Sequence, residues 1–354
     1  MANLKDVARR ANVSVMTVSR VINESGYVKE ETKESIVKAI KELDYRPNLL
    51  AKGLLSKKTK TIAYVVANIA DMFHLHVIKG VEDACYEKGY SVIVCNANSK
   101  IKENEYIQLL SDRYVDGVIF NHLNINIKQV MELKLKGTYC ILLDNEKSSV
   151  DVCSNIKTDN VMGGYLAGKA LADLGHRRIG MIHGSLFFDD TKPVKDYEET
   201  YAFDIWNDRT NGFMHAMLDM GVSVLPEFII QGDWTTGGGM NGGFEAMNEI
   251  MKRKVKPTAM YVQNDYMAIG AVNAIRKAGY SVPEDISVIG HDGLDITETI
   301  YPALSTIDQP RYEMGYKTTQ LLIDQIENNT EPVSIVLCPK LVLRETTAEF
   351  HGNV

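Results

Sequence analysis

From residue 61 onward, short apolar runs alternate with helix-length stretches, and the alternation occurs twice. No other feature of this 354-residue chain restricts its fold as strongly. Strand-like runs at 62–67, 91–95, 117–120 and 140–143 are separated by helical periodicity around 75–88, 103–114 and 127–136. A second set follows at 178–183, 228–231, 259–262 and 286–290, with helices near 161–174, 210–220, 238–252 and 265–277. Apolar strands this short, spaced by helices, predict parallel sheets covered on both faces. Two sets predict two similar doubly wound α/β subdomains, with ligand in the crevice at the carboxyl ends of the strands.

The first 47 residues read differently. Asn3 is a good helix cap, and Asp6 three residues later approaches a capping box. Leu4, Val7, Ala8 and Ala11 then recur at helical spacing. Asn12-Val13 breaks the pattern, and Ser14 caps a second helix built on Val15, Val18, Val21 and Ile22. Met16, Thr17, Ser19, Arg20 and Asn23 are left to point outward. A short helix with small polar residues and one Arg suits the DNA major groove, where Arg pairs with guanine and apolar groups meet the thymine methyl. A third helix is expected over 30–43, with Ile36, Val37, Ile40 and Leu43 facing the first two. Pro47 ends the unit.

Charge agrees with this division. The net charge is -7, yet residues 1–60 hold 13 Lys/Arg against 7 Asp/Glu and the remainder holds 26 against 39. A basic end on an acidic body confines phosphate contact to that end. No apolar run is long enough for a membrane span, and the polar N-terminus is not a signal peptide. The five cysteines are scattered with no CxxC, as expected for reduced core thiols of a cytoplasmic protein.

The segments VSVMTVSRVIN and LDYRPNLLAKGL resemble the lactose-repressor (LacI/GalR) family of bacterial transcription regulators. LADLGHRRIGMIHG (171–184), the RxxGF at 209–213, QNDYMAIGA (263–271), VPEDISVIGHDG (282–293) and PALSTIDQP (302–310) extend the resemblance over nearly the whole chain. It implies a helix-turn-helix headpiece at 1–47 and a hinge helix and linker at 48–60. An effector-binding and dimerisation core at 61–354 follows, with the architecture of a periplasmic sugar-binding protein. It implies that the chain crosses three times between the subdomains. The N-subdomain would comprise 61–160 and 293–326, including a strand at 305–307, and the C-subdomain 161–292 and 327–345, including 335–343.

The resemblance also implies residue roles. Val15, Met16 and Arg20 would read base edges, while Thr17, Ser19, Asn23 and Tyr45 would hold phosphates. In the hinge, Leu54 would wedge into the minor groove, with Asn48, Ala51 and Lys52 beside it on the DNA. Lys29 departs from the Ser that often caps the third helix, and Gly53 weakens the hinge helix. In the cleft, Phe73, His74, Arg209, Trp234, Asp265 and Asp292 are the implied ligand contacts. Carboxylates and Arg suit the hydroxyls of a polyol, and an aromatic face suits its apolar side. The stretch 184–209, rich in aromatic and acidic residues, adds Asp189 and favours a neutral mono- or oligosaccharide.

Other signals are weaker. The GxGxxG at 237–242 stands five residues from its strand, too far for a dinucleotide turn. Asp71, His74 and His76 supply too few ligands for a metal. No nucleophile, Walker or zinc-protease motif is found. We expect no cofactor and no catalysis, and read the chain as a transcriptional regulator binding a pseudo-palindromic operator as a homodimer. Two alternatives stand beside it: a global catabolite regulator with a phosphorylated carrier-protein corepressor, and a sugar-binding protein or enzyme with an incidental helix-turn-helix.

Overall fold

The computed structural model describes residues 2–22, 25–45, 58–112, 115–121, 127–144, 152–184, 199–234 and 239–352. The chain divides into two compact units, Met1–Lys60 and Thr61–Val354. The hinge residues Asn48, Ala51, Lys52 and Leu54, together with Asn23 and Asp189, lie outside the described residues.

The first unit is three helices, α1 (Leu4–Arg10), α2 (Val15–Ile22) and α3 (Glu30–Glu42). Asn3 caps α1 through a full capping box. Its Oδ1 accepts from the Lys5 and Asp6 amides at 2.9 and 3.2 Å, and Asp6 Oδ2 accepts from the Asn3 amide at 3.0 Å. Asn12 takes the left-handed conformation that turns the chain, with φ 55°. Ser14 Oγ then accepts from the Thr17 amide at 3.1 Å. Val7, Ala8, Ala11, Val18, Ile36 and Ala39 form the core. Val37, expected to face inward, is 40% exposed, because the α3 stripe runs through Ile36, Ala39, Ile40 and Leu43 instead. No side chain caps α3 at Lys29.

In the second unit, among the described residues, two six-stranded sheets each carry helices on both faces. The first has strand order β11-β5-β4-β3-β1-β2. Its members are β1 (Thr61–Val66), β2 (Ser91–Asn96), β3 (Gly117–Asn121), β4 (Tyr139–Leu143), β5 (Ser154–Thr158) and β11 (Ser334–Leu337). Around it lie α4 (Phe73–Glu87), α5 (Lys100–Ser111) and α6 (Ile127–Leu135). The second has order β12-β10-β9-β8-β6-β7. It contains β6 (Ile179–His183), β7 (Ile229–Gln231), β8 (Ala259–Val262), β9 (Ser287–Asp292), β10 (Ser305–Asp308) and β12 (Lys340–Val342). Its helices are α7 (Asn160–Asp173), α8 (Glu199–Asp219), α9 (Met240–Met251) and α10 (Asp265–Lys277). A single turn, α11 (Ile296–Thr299), precedes β10, and α12 (Arg311–Asn328) follows it and packs on the first sheet through α4, β3 and β4.

The chain passes between the sheets at 158–160, 308–311 and 337–340. The second and third passages correct the expected division. The strand at 305–308 pairs with β9 in the second sheet (Ser305↔Ile289), so the return to the first sheet comes after β10 and before α12. The stretch 335–343 is two strands: β11 pairs with β5 of the first sheet and β12 with β10 of the second. The polar strand β5, SNIKT, carries no apolar alternation, yet four of its five residues are buried between β4 and β11.

Paired glycines bring the helices together. A Cβ on Gly164 of α7 would stand 1.9 Å from the Arg209 carbonyl oxygen, and one on Gly212 of α8 would stand 1.9 Å from that of Val161. Gly80 and Gly315 join α4 to α12 in the same reciprocal way, and Gly243 and Gly270 join α9 to α10. A Cβ on Gly242, within the GxGxxG stretch, would stand 1.8 Å from the Asp233 carbonyl oxygen, so that glycine serves the close packing of α9 on the loop after β7.

Candidate functional site

Two sites follow from these folds. On the headpiece, α2 buries Val18 and turns the other side of the helix outward. Met16 is 66% exposed and Val15 39%, and Arg20 is also exposed. The Met16 sulfur lies 3.9 Å from Arg20 Nη2. Thr17 and Ser19 are half-buried, and the Thr17 hydroxyl is 2.8 Å from Ser14 Oγ within the cap. Tyr45 packs against the headpiece core, with its amide donating to the Ile40 carbonyl at 3.0 Å. The described residues expected to meet DNA thus divide into an exposed apolar and Arg surface and a set tied into the scaffold.

In the second unit the functional side chains gather at the carboxyl ends of both sheets. Arg209 on α8 is 4% exposed. Its Nη2 is 3.1 Å from Asp292 Oδ1, its Nε donates to Asn160 Oδ1 at 2.9 Å, and its Nη1 donates to the Gln263 carbonyl. The close α7–α8 crossing at Gly164 and Gly212 makes this reach possible. Asp292, the last residue of β9, takes φ 119°, a region that non-glycine residues occupy at a cost of about 1–3 kcal/mol. It accepts from Asn264 Nδ2 at 3.0 Å and Gln309 Nε2 at 2.9 Å. Burial raises its carboxyl to about 6, against the opposing pull of the Arg209 charge.

Asp265 has a different place from the one expected. It has no exposed surface, and its two oxygens accept from the Thr306 hydroxyl at 2.6 Å and the Leu294 amide at 2.8 Å. It therefore braces the segment that follows β9. Burial, and then the Asp292 charge, push its carboxyl well above the usual range.

Aromatic groups flank the pair. Trp206 and Trp234 lie 5.7 Å apart, and the Arg209 guanidinium carbon is 5.3 Å from the Trp206 ring centroid. Across from them, Phe73 and His74 form the first turn of α4, edge to face at 5.4 Å and nearly buried. Asn121 Nδ2 donates to His74 Nδ1 at 3.3 Å and also meets the Tyr64 hydroxyl. Two links join this side to the other: the Tyr266 hydroxyl bonds the Met72 backbone, and the charge of Asp71 acts on Asp292. His76 is engaged by Asp295 at 2.8 Å.

Arg209, Trp234 and Asp292 are thus joined in one cluster through Trp206, and Phe73 and His74 follow directly on Met72 and Asp71, which reach toward it. Sequence reading missed Asn160, Asn121, Gln263, Asn264 and Gln309, and took Trp206 as one of the aromatic residues of a loop over the cleft rather than as part of a helix. Trp206 stands three residues before Arg209 on α8, a spacing that puts both on one helix face. That signal was hidden because the helix starts at Glu199, ahead of its apolar repeat.

Residues 3–48 match the model of bacterial regulatory proteins, lacI family, and residues 169–347 match a periplasmic binding protein-like domain. The HTH-type transcriptional repressor PurR of Serratia proteamaculans is 35% identical over 353 residues, covering 99% of this chain and 98% of that protein. This chain belongs to the LacI family. Among solved structures, the lac repressor dimer bound to operator and the anti-inducer ONPF is similar with a TM-score of 0.81 at 26% identity. That match covers 98% of this chain and 99% of the other. A cellobiose complex of the transcriptional regulator CelR is similar with a TM-score of 0.69 at 30% identity, covering 98% and 100%. The LacI-family assignment makes the chain a DNA-binding transcriptional repressor with a ligand-binding core, and not an enzyme. No helix among the described residues is long and apolar enough to cross a membrane.

Proposed function

We propose that this repressor binds a pseudo-palindromic operator as a homodimer in the cytoplasm, and that a neutral mono- or oligosaccharide in the cleft sets its operator affinity. The observation that carries the effector reading is the buried Arg209–Asp292 pair, surrounded by the Asn160, Asn264 and Gln309 amides and flanked by the two tryptophans. The ion pair leaves little net charge to attract an anion, the amides match hydroxyls, and the rings match the apolar face of a sugar. The CelR complex with cellobiose supports this choice of ligand class.

On DNA, Val15, Met16 and Arg20 read base edges, and Thr17, Ser19, Asn23 and Tyr45 position phosphates. Leu54 of the hinge enters the minor groove, with Asn48, Ala51 and Lys52 alongside. Ligand acts by favouring one relation of the two subdomains, which shifts the population able to hold DNA.

The test is operator affinity on the protein's own upstream DNA, with and without a panel of mono- and disaccharides. A tenfold change with one neutral sugar, about 1.4 kcal/mol of coupling, is expected. Tight binding of a nucleobase or sugar phosphate with no sugar response overturns the ligand class. Tightening by a phosphorylated carrier protein alone replaces the reading with a global regulator.

A further inference from the structure

Two cysteines that have no part in either site meet in the first sheet. The parallel β4–β5 pairing opens with Ile141 opposite Ser154. Extending that register by one residue sets Cys140 beside Cys153. Neighbouring strands stand about 4.8 Å apart, within the Cα separation that a disulfide spans. Residues opposed across a sheet point to the same face. Both thiols belong to one core cluster and are nearly buried, at 3% and 2% exposure. Cys153 precedes β5 in a bend, so its backbone is free of the ladder constraint that holds Cys140.

Both also line a cavity of about 120 Å³, shared with Lys134, Tyr139, Gln325 and Asn329. That volume admits a molecule the size of hydrogen peroxide. The Lys134 ammonium, held by the Val152 carbonyl, is the charged group that favours a thiolate there. Cys95 is buried opposite Val65 in the strand pairing, Cys85 is buried on helix α4, and Cys338 is exposed.

We propose that Cys140 and Cys153 are a modification site, a dithiol that a hydroperoxide converts to an intramolecular disulfide. The Cys153 thiolate attacks the peroxide oxygen, giving a sulfenic acid and releasing hydroxide, which takes up a proton as water. The Cys140 sulfur then displaces the sulfenic hydroxyl, its own proton leaving with that hydroxyl as a second water. Two thiols are oxidised, one peroxide is reduced, and one S–S bond forms. The bond closes the chain from β4 to β5 around Asp144, which stands at the carboxyl end of β4 and accepts from the Thr158 amide at 3.2 Å.

Burial pushes both thiols up, the Cys153 thiol to about 11, and at Cys140 the neighbouring Cys153 charge adds to the push. Oxidation is therefore slow at neutral pH and quickens as the solution becomes more alkaline.

The experiment exposes the full-length protein to hydrogen peroxide at pH 6.5 and pH 8.5, quenches with an alkylating agent, and maps thiols by mass spectrometry without reduction. A Cys338→Ser chain removes the exposed thiol and intermolecular linkage. The expected result is a Cys140–Cys153 linked peptide, 2 Da lighter than the two thiol peptides, formed several-fold faster at pH 8.5 and reversed by dithiothreitol. Cys153→Ala, checked for folding by circular dichroism, should leave Cys140 reduced at the same dose. The proposal is overturned if Cys140 and Cys153 remain thiols at a dose that fully oxidises Cys338 in the unmutated chain, or if either accumulates as sulfinic acid without linkage.

Discussion

Arg209 Nη2 and Asp292 Oδ1 stand 3.1 Å apart, both side chains almost wholly buried, at the point where the second sheet opens toward the cleft. The pair is held by groups from three segments: Asn160 at the start of α7, the adjacent Gln263 carbonyl and Asn264 amide before α10, and Gln309 after β10. Asn160 and Gln309 stand at two of the three passages between the sheets, so the pair is bonded directly to both.

Asp292→Asn keeps the shape and the tolerance of positive φ but removes the charge that faces Arg209. Effector affinity should fall by about ten- to a hundredfold, the value of a charge-assisted hydrogen bond. Operator affinity without effector should stay unchanged. Isothermal titration and gel-shift measurements on the same preparation check both, and equal losses in the two would remove Asp292 from the ligand site.

The Asp292 carboxyl, raised by burial to about 6 from 3.8, gives a pH dependence of defined sign. Between these values the folded protein holds a proton that the unfolded chain has released. This group's contribution to stability is thus fully present below pH 3.8 and is lost as pH rises through about 6. Effector binding runs the other way, since protonation removes the charge opposite Arg209, and should weaken as pH falls through about 6. Titrations from pH 7.5 to 5.5 should show this in the unmutated protein and a flatter profile in Asp292→Asn.

Gly164→Ala places a methyl 1.9 Å from the Arg209 carbonyl oxygen, so α8 must move away from α7. Overpacking of this kind costs about 1–3 kcal/mol. We expect a lower thermal midpoint together with weakened effector binding, because the displaced helix carries both Trp206 and Arg209. A stability loss with unchanged effector affinity would show that the helix gives way without moving the guanidinium.

Much of this site was legible in the chain. Arg209 and Asp292 stand inside recognisable motifs, and the strand–helix alternation placed Asp292 at the carboxyl end of a strand. Less legible were groups whose role depends on packing. Asp265 has the residue type of a ligand contact, but Thr306 and the Leu294 amide come from distant segments to occupy it. Gln309 and Asn121 are ordinary polar residues until the sheets bring them to the cleft. β5 was invisible because Ser154, Asn155 and Lys157 lack apolar alternation, and the place of β10 could not be read because a four-residue strand carries no record of its neighbours.

In the headpiece, Arg20→Ala should cost about 1–3 kcal/mol of operator binding and relax discrimination at one base position. Binding to a set of operators varied one base at a time checks this. A uniform loss across the set would assign Arg20 to a phosphate.

Lys29 offers no side-chain acceptor to the first turn of α3. Lys29→Ser should stabilise that helix by about 0.5–2 kcal/mol, with the gain read from hydrogen exchange of the α3 amides. Unchanged exchange would mean that solvent already satisfies those donors.

The three passages between the sheets are only one or two residues long, and two of them touch, the Asp159 amide donating to the Leu337 carbonyl at 2.9 Å. Asn160 and Gln309, which bond Arg209 and Asp292, stand at two of these passages. On the proposed reading, an effector that shifts the pair therefore acts at the joints where the chain changes sheets, and connections this short leave little slack to absorb the shift.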